Sequence, residues 1–278
     1  MTGSILTLGW GKRIAQLCAF WLSLPMNRSP RVDCDAIAPL YDEQPYRAKT
    51  VDPELTAFIG QRAPAAVLDI GCGTGNQLVA NRNAASGARL VGVDGSLGML
   101  RQARAKATDV LWVQADAASL PFAGRNFDFI SCQLAFHHFG DKARALRAAF
   151  RVLRPGGRFV MRNLCPQQSP DWLYYEYFPE AQIVDLKDFW PPEAIVAVME
   201  GAGFAPVTVA YEHVHFEQNL REWLAIVRRR DICSQLQAIS DEAYAAGIRR
   251  LKQDVADAGQ SATRPDHLCL ITIRGDRP

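Results

Sequence analysis

A surplus of one charge, paired cysteines and a membrane-length apolar run are all missing from these 278 residues. Lysine and arginine number 31 against 29 acids, so the net charge is only +2. Nothing in that balance draws the chain to nucleic acid or to an acidic lipid surface. The single tight basic run, Arg228-Arg229-Arg230, reads as a solvated helix face. Seven cysteines stand singly, at positions 18, 34, 72, 132, 165, 233 and 269. No Cys-x-x-Cys pair occurs, which excludes the usual structural zinc site and gives no disulfide framework. A reducing cytoplasm is the expected location. Near the start, Lys12 and Arg13 precede IAQLCAFWLSLPM, which is too short to span a bilayer. No small-x-small cleavage site follows cleanly. A signal-like segment, an over-extended reading frame whose natural start is Met26, and a helix docked on the domain or a membrane surface all stay open. Residues 1–35 are therefore set aside as an extension of uncertain role.

What is present begins at Ala65. Short apolar runs, AAVLDI, RLVGVD, VLWVQAD, FDFISC and RFVMRN, carry valine, isoleucine and aromatic residues, as strands buried on both faces do. Helical patterns such as SLGMLRQARAKA and DKARALRAAFRVL separate several of them. Pro155-Gly156-Gly157 is expected to stop the second helix and turn the chain into the next strand. This alternation predicts an α/β fold, an open doubly wound sheet with right-handed crossovers. Beyond Asn163 the rhythm breaks into an aromatic segment holding Trp172, Tyr174, Tyr175, Tyr177 and Phe178. A helix after Pro191-Pro192, a strand PVTVAYEHVHF, a helical stretch from Leu220 to about Ala258 interrupted near Ser240, and a final edge strand HLCLITIRG complete the expectation.

The stretch VLDIGCGTGN decides what the sheet holds. A dinucleotide fingerprint needs Gly-x-Gly-x-x-Gly, but Gly71, Gly73 and Gly75 run Gly-x-Gly-x-Gly, and Asn76 stands where the third glycine belongs. Asp69, at the end of the first strand, is a poor neighbour for a pyrophosphate and suits a ligand carrying an ammonium group. Asp94, closing the second strand, can accept from both ribose hydroxyls. Asp116, closing the third, can accept from an adenine amine, with the Ala117 N–H facing a ring nitrogen. Three acidic strand ends around one glycine turn describe a cationic, phosphate-free adenosyl ligand, S-adenosyl-L-methionine.

In order and spacing, VLDIGCGTGN, GVDGSLGML, ADAASLPF, FDFISCQLAFHHF and RVLRPGGRFVM resemble the motif set of class I S-adenosylmethionine-dependent methyltransferases. The nearest branch is the small-molecule group that includes ubiquinone and menaquinone biosynthesis enzymes, and the likeness covers about residues 36 to 163. It implies a doubly wound, mostly parallel seven-stranded sheet, Rossmann-like, with helical and aromatic lid insertions. It also implies that Asp69, Gly71 and Gly73 hold the methionine end, Asp94 the ribose, and Ser96 and Met99 the flanks of the adenosine. Asp116 and Ala117 would read the adenine, while Gln133 and Leu134 line the methionyl part. IAPLYDEQPYR is similar to the N-terminal helix that closes over the cofactor in this family, with Tyr41 and Tyr46 as its contacts.

The acceptor is less legible. His137 and His138 follow the fourth strand at the ligand-binding edge, and one of them can take a proton near neutral pH. His213 and His215 share a strand face, but with no third ligand nearby in sequence no metal is assigned. The aromatic segment and the helices around Trp223 and Tyr244 are expected to cover the mouth with walls for a planar or apolar acceptor. Residues 36–278 are read as one domain, with lid insertions at about 164–190 and 217–262. No Asx/Ser-Pro-Pro-aromatic motif and no Pro-Cys pair follows the fourth strand, which argues against a nucleic-acid base as acceptor. The expected partner is a small molecule, with neither nucleic acid nor membrane, for a monomer or homodimer. A non-catalytic S-adenosylmethionine-binding protein and an NAD-dependent oxidoreductase are the competing readings.

Overall fold

The computed structural model describes residues 33–43, 47–230, 233–259 and 262–278. Helix α1 (Cys34–Ile37) and a 3₁₀ turn (Ala38–Glu43) lead to α2 (Pro53–Ile59). Strand and helix then alternate through β1 (Ala66–Ile70), α3 (Asn76–Asn81), β2 (Arg89–Asp94), α4 (Leu97–Lys106), β3 (Leu111–Gln114), β4 (Phe127–Gln133), α5 (Lys142–Val152) and β5 (Leu153–Leu164). The remainder runs through α6 (Leu173–Tyr177), α7 (Pro179–Asp188), α8 (Pro192–Ala202), β6 (Val207–Asn219), α9 (Leu220–Val227), α10 (Ser234–Gln237), α11 (Asp241–Asp257) and β7 (Thr263–Asp276). Local chemistry sets several of these starts. The Ser96 Oγ accepts from the Met99 N–H at 3.1 Å, and Asp141 caps α5 by accepting from the Arg144 N–H at 2.8 Å.

One seven-stranded sheet has the order β3-β2-β1-β4-β5-β7-β6. The first five strands are parallel, and β7 runs antiparallel to both β5 and β6. Every residue of β1 is buried, as expected of a central parallel strand covered on both faces. The chain steps outward from β1 to β3, then returns to β4 on the other side of β1. The C-terminal ends of β1 and β4 therefore flank the switch point, where such sheets leave a crevice.

The doubly wound fold is as expected, and five details of the reading are corrected. HLCLITIRG is not at the edge: β7 lies between β5 and β6, with Cys269, Ile271 and Ile273 buried, and the largely exposed β6 forms the border. Helix α5 ends at Val152, and Pro155-Gly156-Gly157 sits inside β5, where the ladder with β4 shifts register. The third strand stops at Gln114, two residues before Asp116. The helical stretch after Leu220 breaks at Arg228 as well as before Asp241. The aromatic segment builds a second core instead of walling a cavity. Tyr174, Tyr175, Tyr177 and Phe178 are all buried there, against Trp223, Leu224, Leu251 and Val255 of α9 and α11. An apolar ring loses more water by packing against helices than by facing an open mouth, and five neighbouring aromatics suffice to build that core.

Candidate cofactor and active site

The three glycines of the turn do three different things. Gly71 (φ 73°) donates its N–H to the Val93 carbonyl at 2.8 Å, and a Cβ there would meet the Ala135 Cβ at 2.4 Å. Gly75 (φ 78°) opens α3, where a Cβ would strike the Trp112 ring at 2.4 Å. Gly73 (φ 53°) differs, since among the described residues no atom beyond its own chain neighbours lies within 4 Å of where its Cβ would stand. Two glycines permit close packing. The third leaves room for something to approach its backbone.

Around that opening the acids are held in distinct ways. Asp94 accepts from the Gly73 N–H and the Ser96 N–H, each at 2.8 Å, one per carboxylate oxygen. Burial raises its pKa, and those N–H groups work against the rise. Each oxygen keeps a lone pair for a further donor. Asp69 is 3% exposed and accepts from the Ser131 hydroxyl at 2.7 Å. Burial, with Asp52 and Asp94 nearby, pushes it up to about 7. Asp116 is exposed and caps a 3₁₀ turn by accepting from the Ala118 N–H at 2.8 Å, with Ala117 buried beside it. Met99 is buried against Ile37 and Ala38, with Tyr41 packed on the same cluster and the Arg47 guanidinium 3.9 Å over the Tyr41 ring. Tyr46, like residues 1–32 of the extension, lies outside the described residues.

Gln133 and Leu134 lie at the end of β4. The Gln133 amide donates to Asp52 at 2.8 Å, and Leu134 has a positive φ of 53°. The sequence reading missed the acids upstream. Asp35 accepts from the Ser96 hydroxyl at 2.7 Å, so residues 33–35 belong with the crevice and not with the extension. Asp42 accepts from Thr74 at 2.7 Å, from Asn76 at 2.8 Å and from Lys106, drawing the 3₁₀ turn over the glycine loop. The signal available was Asp42 directly after Tyr41 in the closing segment. Asn76, out of place for a dinucleotide, is thereby explained as a partner of that segment.

The donor set fits a cationic adenosyl group. It offers an open backbone at Gly73, a carboxylate at Asp94 with spare lone pairs, an exposed acid at Asp116 and a buried acid at Asp69 that gains by meeting a positive charge. A pyrophosphate would meet three carboxylates here.

His137 and His138 form a 3₁₀ turn after β4 with Phe136. The His137 Nδ1 lies 3.2 Å from the Asn163 Oδ1, and its ring stacks on Phe189 at 4.1 Å and 12°. Burial holds its pKa well below the usual histidine value. His138 rests 3.9 Å from His137, with its outer edge exposed. The surrounding protein, then the cations of Lys142 and Arg47, lower it to about 4. Both rings are therefore neutral at pH 7, and His138 is the one within reach of an incoming molecule. His213 and His215 are joined by His267, whose Nε2 lies 3.0 Å from the His213 Nδ1, yet no three metal-ligating groups converge among the described residues.

Residues 68–161 match a family model described as a methyltransferase domain. The demethylmenaquinone methyltransferase of Thermus thermophilus is 31% identical over 217 residues, covering 65% of this chain and 93% of that one. A malonyl-acyl-carrier-protein O-methyltransferase of Pseudescherichia vulneris is 32% identical over 195 residues, covering 69% and 76% respectively. Among solved structures, the YcgJ protein of Bacillus subtilis superposes with a TM-score of 0.54 at 23% identity, covering 81% of this chain and 99% of that one.

Proposed function

Because the chain belongs to the class I S-adenosylmethionine-dependent methyltransferases, we propose that it methylates a small aromatic or apolar acceptor by in-line displacement, with His138 as the base. S-adenosyl-L-methionine is its cofactor, and when bound supplies an electrophilic methyl group on a sulfonium. The observation that carries the site assignment is the Gly73–Asp94 pair, an uncovered backbone beside a carboxylate anchored by two N–H groups. Asp94 accepts from the ribose hydroxyls, and Asp69 and Gly71 face the methionyl end. Ser96 and Met99 flank the adenosine with Tyr41, Asp116 and Ala117 read the adenine, and Gln133 and Leu134 border the methionyl chain.

The protein's own work is alignment, exclusion of water and removal of one proton. Holding two reactants in line is worth on the order of 7–11 kcal/mol. Phe136 and Phe139 pack beneath the β4 turn, with Trp190 edge-on to Phe136 at 6.2 Å, and keep that side dry. His138, neutral at pH 7, takes the proton of the attacking group on its exposed edge. His137, fixed by Asn163 and Phe189, orients it. The same reading takes residues 36–278 as one domain in which segments 164–190 and 217–262 border the acceptor side. Phe189 and Trp190, at the end of the first segment, are the contacts that support this, while the rings at 172–178 and Trp223 pack in the second core. A quinone or phenol acceptor is favoured by the demethylmenaquinone relative. No described helix is long and apolar enough to cross a membrane.

The test is incubation with methyl-labelled cofactor and a panel of quinones, phenols and amines. Sustained labelling of an aromatic acceptor is expected. Tight S-adenosylhomocysteine binding without any product would overturn the catalytic reading, and tight NAD binding alone would overturn the cofactor.

A further inference from the structure

A second concave surface lies apart from the crevice, between α9 and α11 of the aromatic helical unit. It is a groove of about 520 Å³ whose floor includes Leu224 and Val255, and Ala225 and Ala256 leave it wide. Its rim carries Arg221, Arg228 and Lys252, and no carboxylate of the described residues lines it.

The arginine run explains why this rim stays charged. Arg229 reaches back to Glu43 at 3.0 Å. Arg230 is consumed by Asp241 and by the carbonyls of Leu236 and Ile239. Arg228 turns into the groove. No hydrogen bond or ion pair of the Arg228 or Lys252 side chain is found among the described residues. Arg221 donates to the Gly259 carbonyl at 2.6 Å, which fixes its guanidinium beside the opening.

Spacing selects the occupant. Arg221 stands in the first turn of α9 and Arg228 caps its C-terminal end, seven positions or about 10 Å along the axis. Arg221 is held on the Gly259 carbonyl, so meeting Arg228 on one phosphate would draw it off that partner. Apolar side chains separate them, so a small polyanion would face hydrocarbon between its two contacts. A helix has the complementary pattern: apolar residues along one stripe, and carboxylates two turns apart beside it.

We propose that this groove docks an acidic amphipathic helix of a partner protein. The apolar stripe lies on Leu224 and Val255, and carboxylates meet Arg221, Arg228 and Lys252. Charge complementarity sets the choice of partner, and the apolar floor supplies contact area.

The experiment uses the full chain and a fluorescein-labelled helical peptide with leucines at i, i+3, i+4 and i+7 flanked by glutamates, read by anisotropy. Binding is expected. It should weaken at least about tenfold in the Arg228→Glu/Lys252→Glu double variant and in Ala225→Trp, which fills the floor. A peptide with lysine in place of each glutamate should not bind. Melting temperature and S-adenosylhomocysteine affinity report that each variant is folded. The proposal is overturned if the acidic peptide binds more weakly than about 1 mM, if acidic and basic peptides bind alike, or if the variants keep wild-type affinity. Capture of the wild-type chain, but not the double variant, by phosphatidylglycerol vesicles would overturn it in favour of a lipid surface.

Discussion

Ionising Asp69 costs the folded chain more than the unfolded one, because burial near Asp52 and Asp94 lifts its carboxyl from the ordinary 3.8 to about 7. The folded state binds that proton more tightly, so this contribution to stability is full below pH 4 and lost as pH rises through 7. Asp69→Asn keeps an acceptor for the Ser131 hydroxyl and removes the charge. It should raise stability at pH 8 by up to about 4 kcal/mol, roughly three pKa units' worth, while weakening S-adenosylmethionine binding. Denaturant melts at pH 5 and pH 8 check the first outcome, and calorimetric titration checks the second. Asp94→Ala should abolish cofactor binding with a near-intact fold, and unchanged affinity would mean the ribose lies elsewhere. His138→Ala should reduce turnover by roughly 10²–10⁴-fold at little cost in cofactor affinity. A loss below threefold would leave alignment as the whole mechanism. With its pKa at about 4, His138 is already deprotonated at pH 6, so kcat/KM should stay flat down to about pH 5 and fall only below it. Lys142→Met removes one of the cations that hold this ring neutral and should move that limb upward.

The glycine turn separates two costs that are usually confounded. Gly75→Ala drives a methyl into Trp112, at ~1–3 kcal/mol, on top of the about 1–2 kcal/mol that its left-handed backbone costs any side chain. Gly73→Ala meets nothing, so only its left-handed backbone opposes it, at about 1–2 kcal/mol. It should nonetheless lose cofactor affinity, because the methyl occupies the approach to the backbone. Thermal melts and binding isotherms on the pair test the distinction. This loop and the strands around it were legible because buried parallel strands write continuous apolar runs, and because Asp94 falls at a strand end. The misreadings had physical causes. HLCLITIRG alternates like a border strand, but a central antiparallel strand does too when helices cover only one of its faces. The aromatic run from Trp172 carries no mark saying whether its rings meet a ligand or other helices. Asp35, Asp42 and Asp52 belong to short turns without periodicity, and their partners lie 61, 32 and 81 positions along the chain.

At the scale of the molecule, the chain holds a sheet with a core on each face and a separate aromatic core formed by α6, α9, α10 and α11. Phe178 is fully buried in the latter, so Phe178→Ala should cost ~3–5 kcal/mol locally. Hydrogen exchange should then speed up across α6–α7 and α9–α11 before it does in β1–β5. Equal acceleration everywhere would show that the two parts melt as one. The central position of β7 has a kinetic consequence. Every contact of the cofactor crevice among the described residues is encoded before position 164, but β5 gains its outer neighbour only from residues beyond 262. Until that last segment threads between β5 and β6, both present unsatisfied backbone to any passing extended chain. Nascent chains should therefore be most prone to self-association in the interval after the crevice is complete and before the ladder is closed.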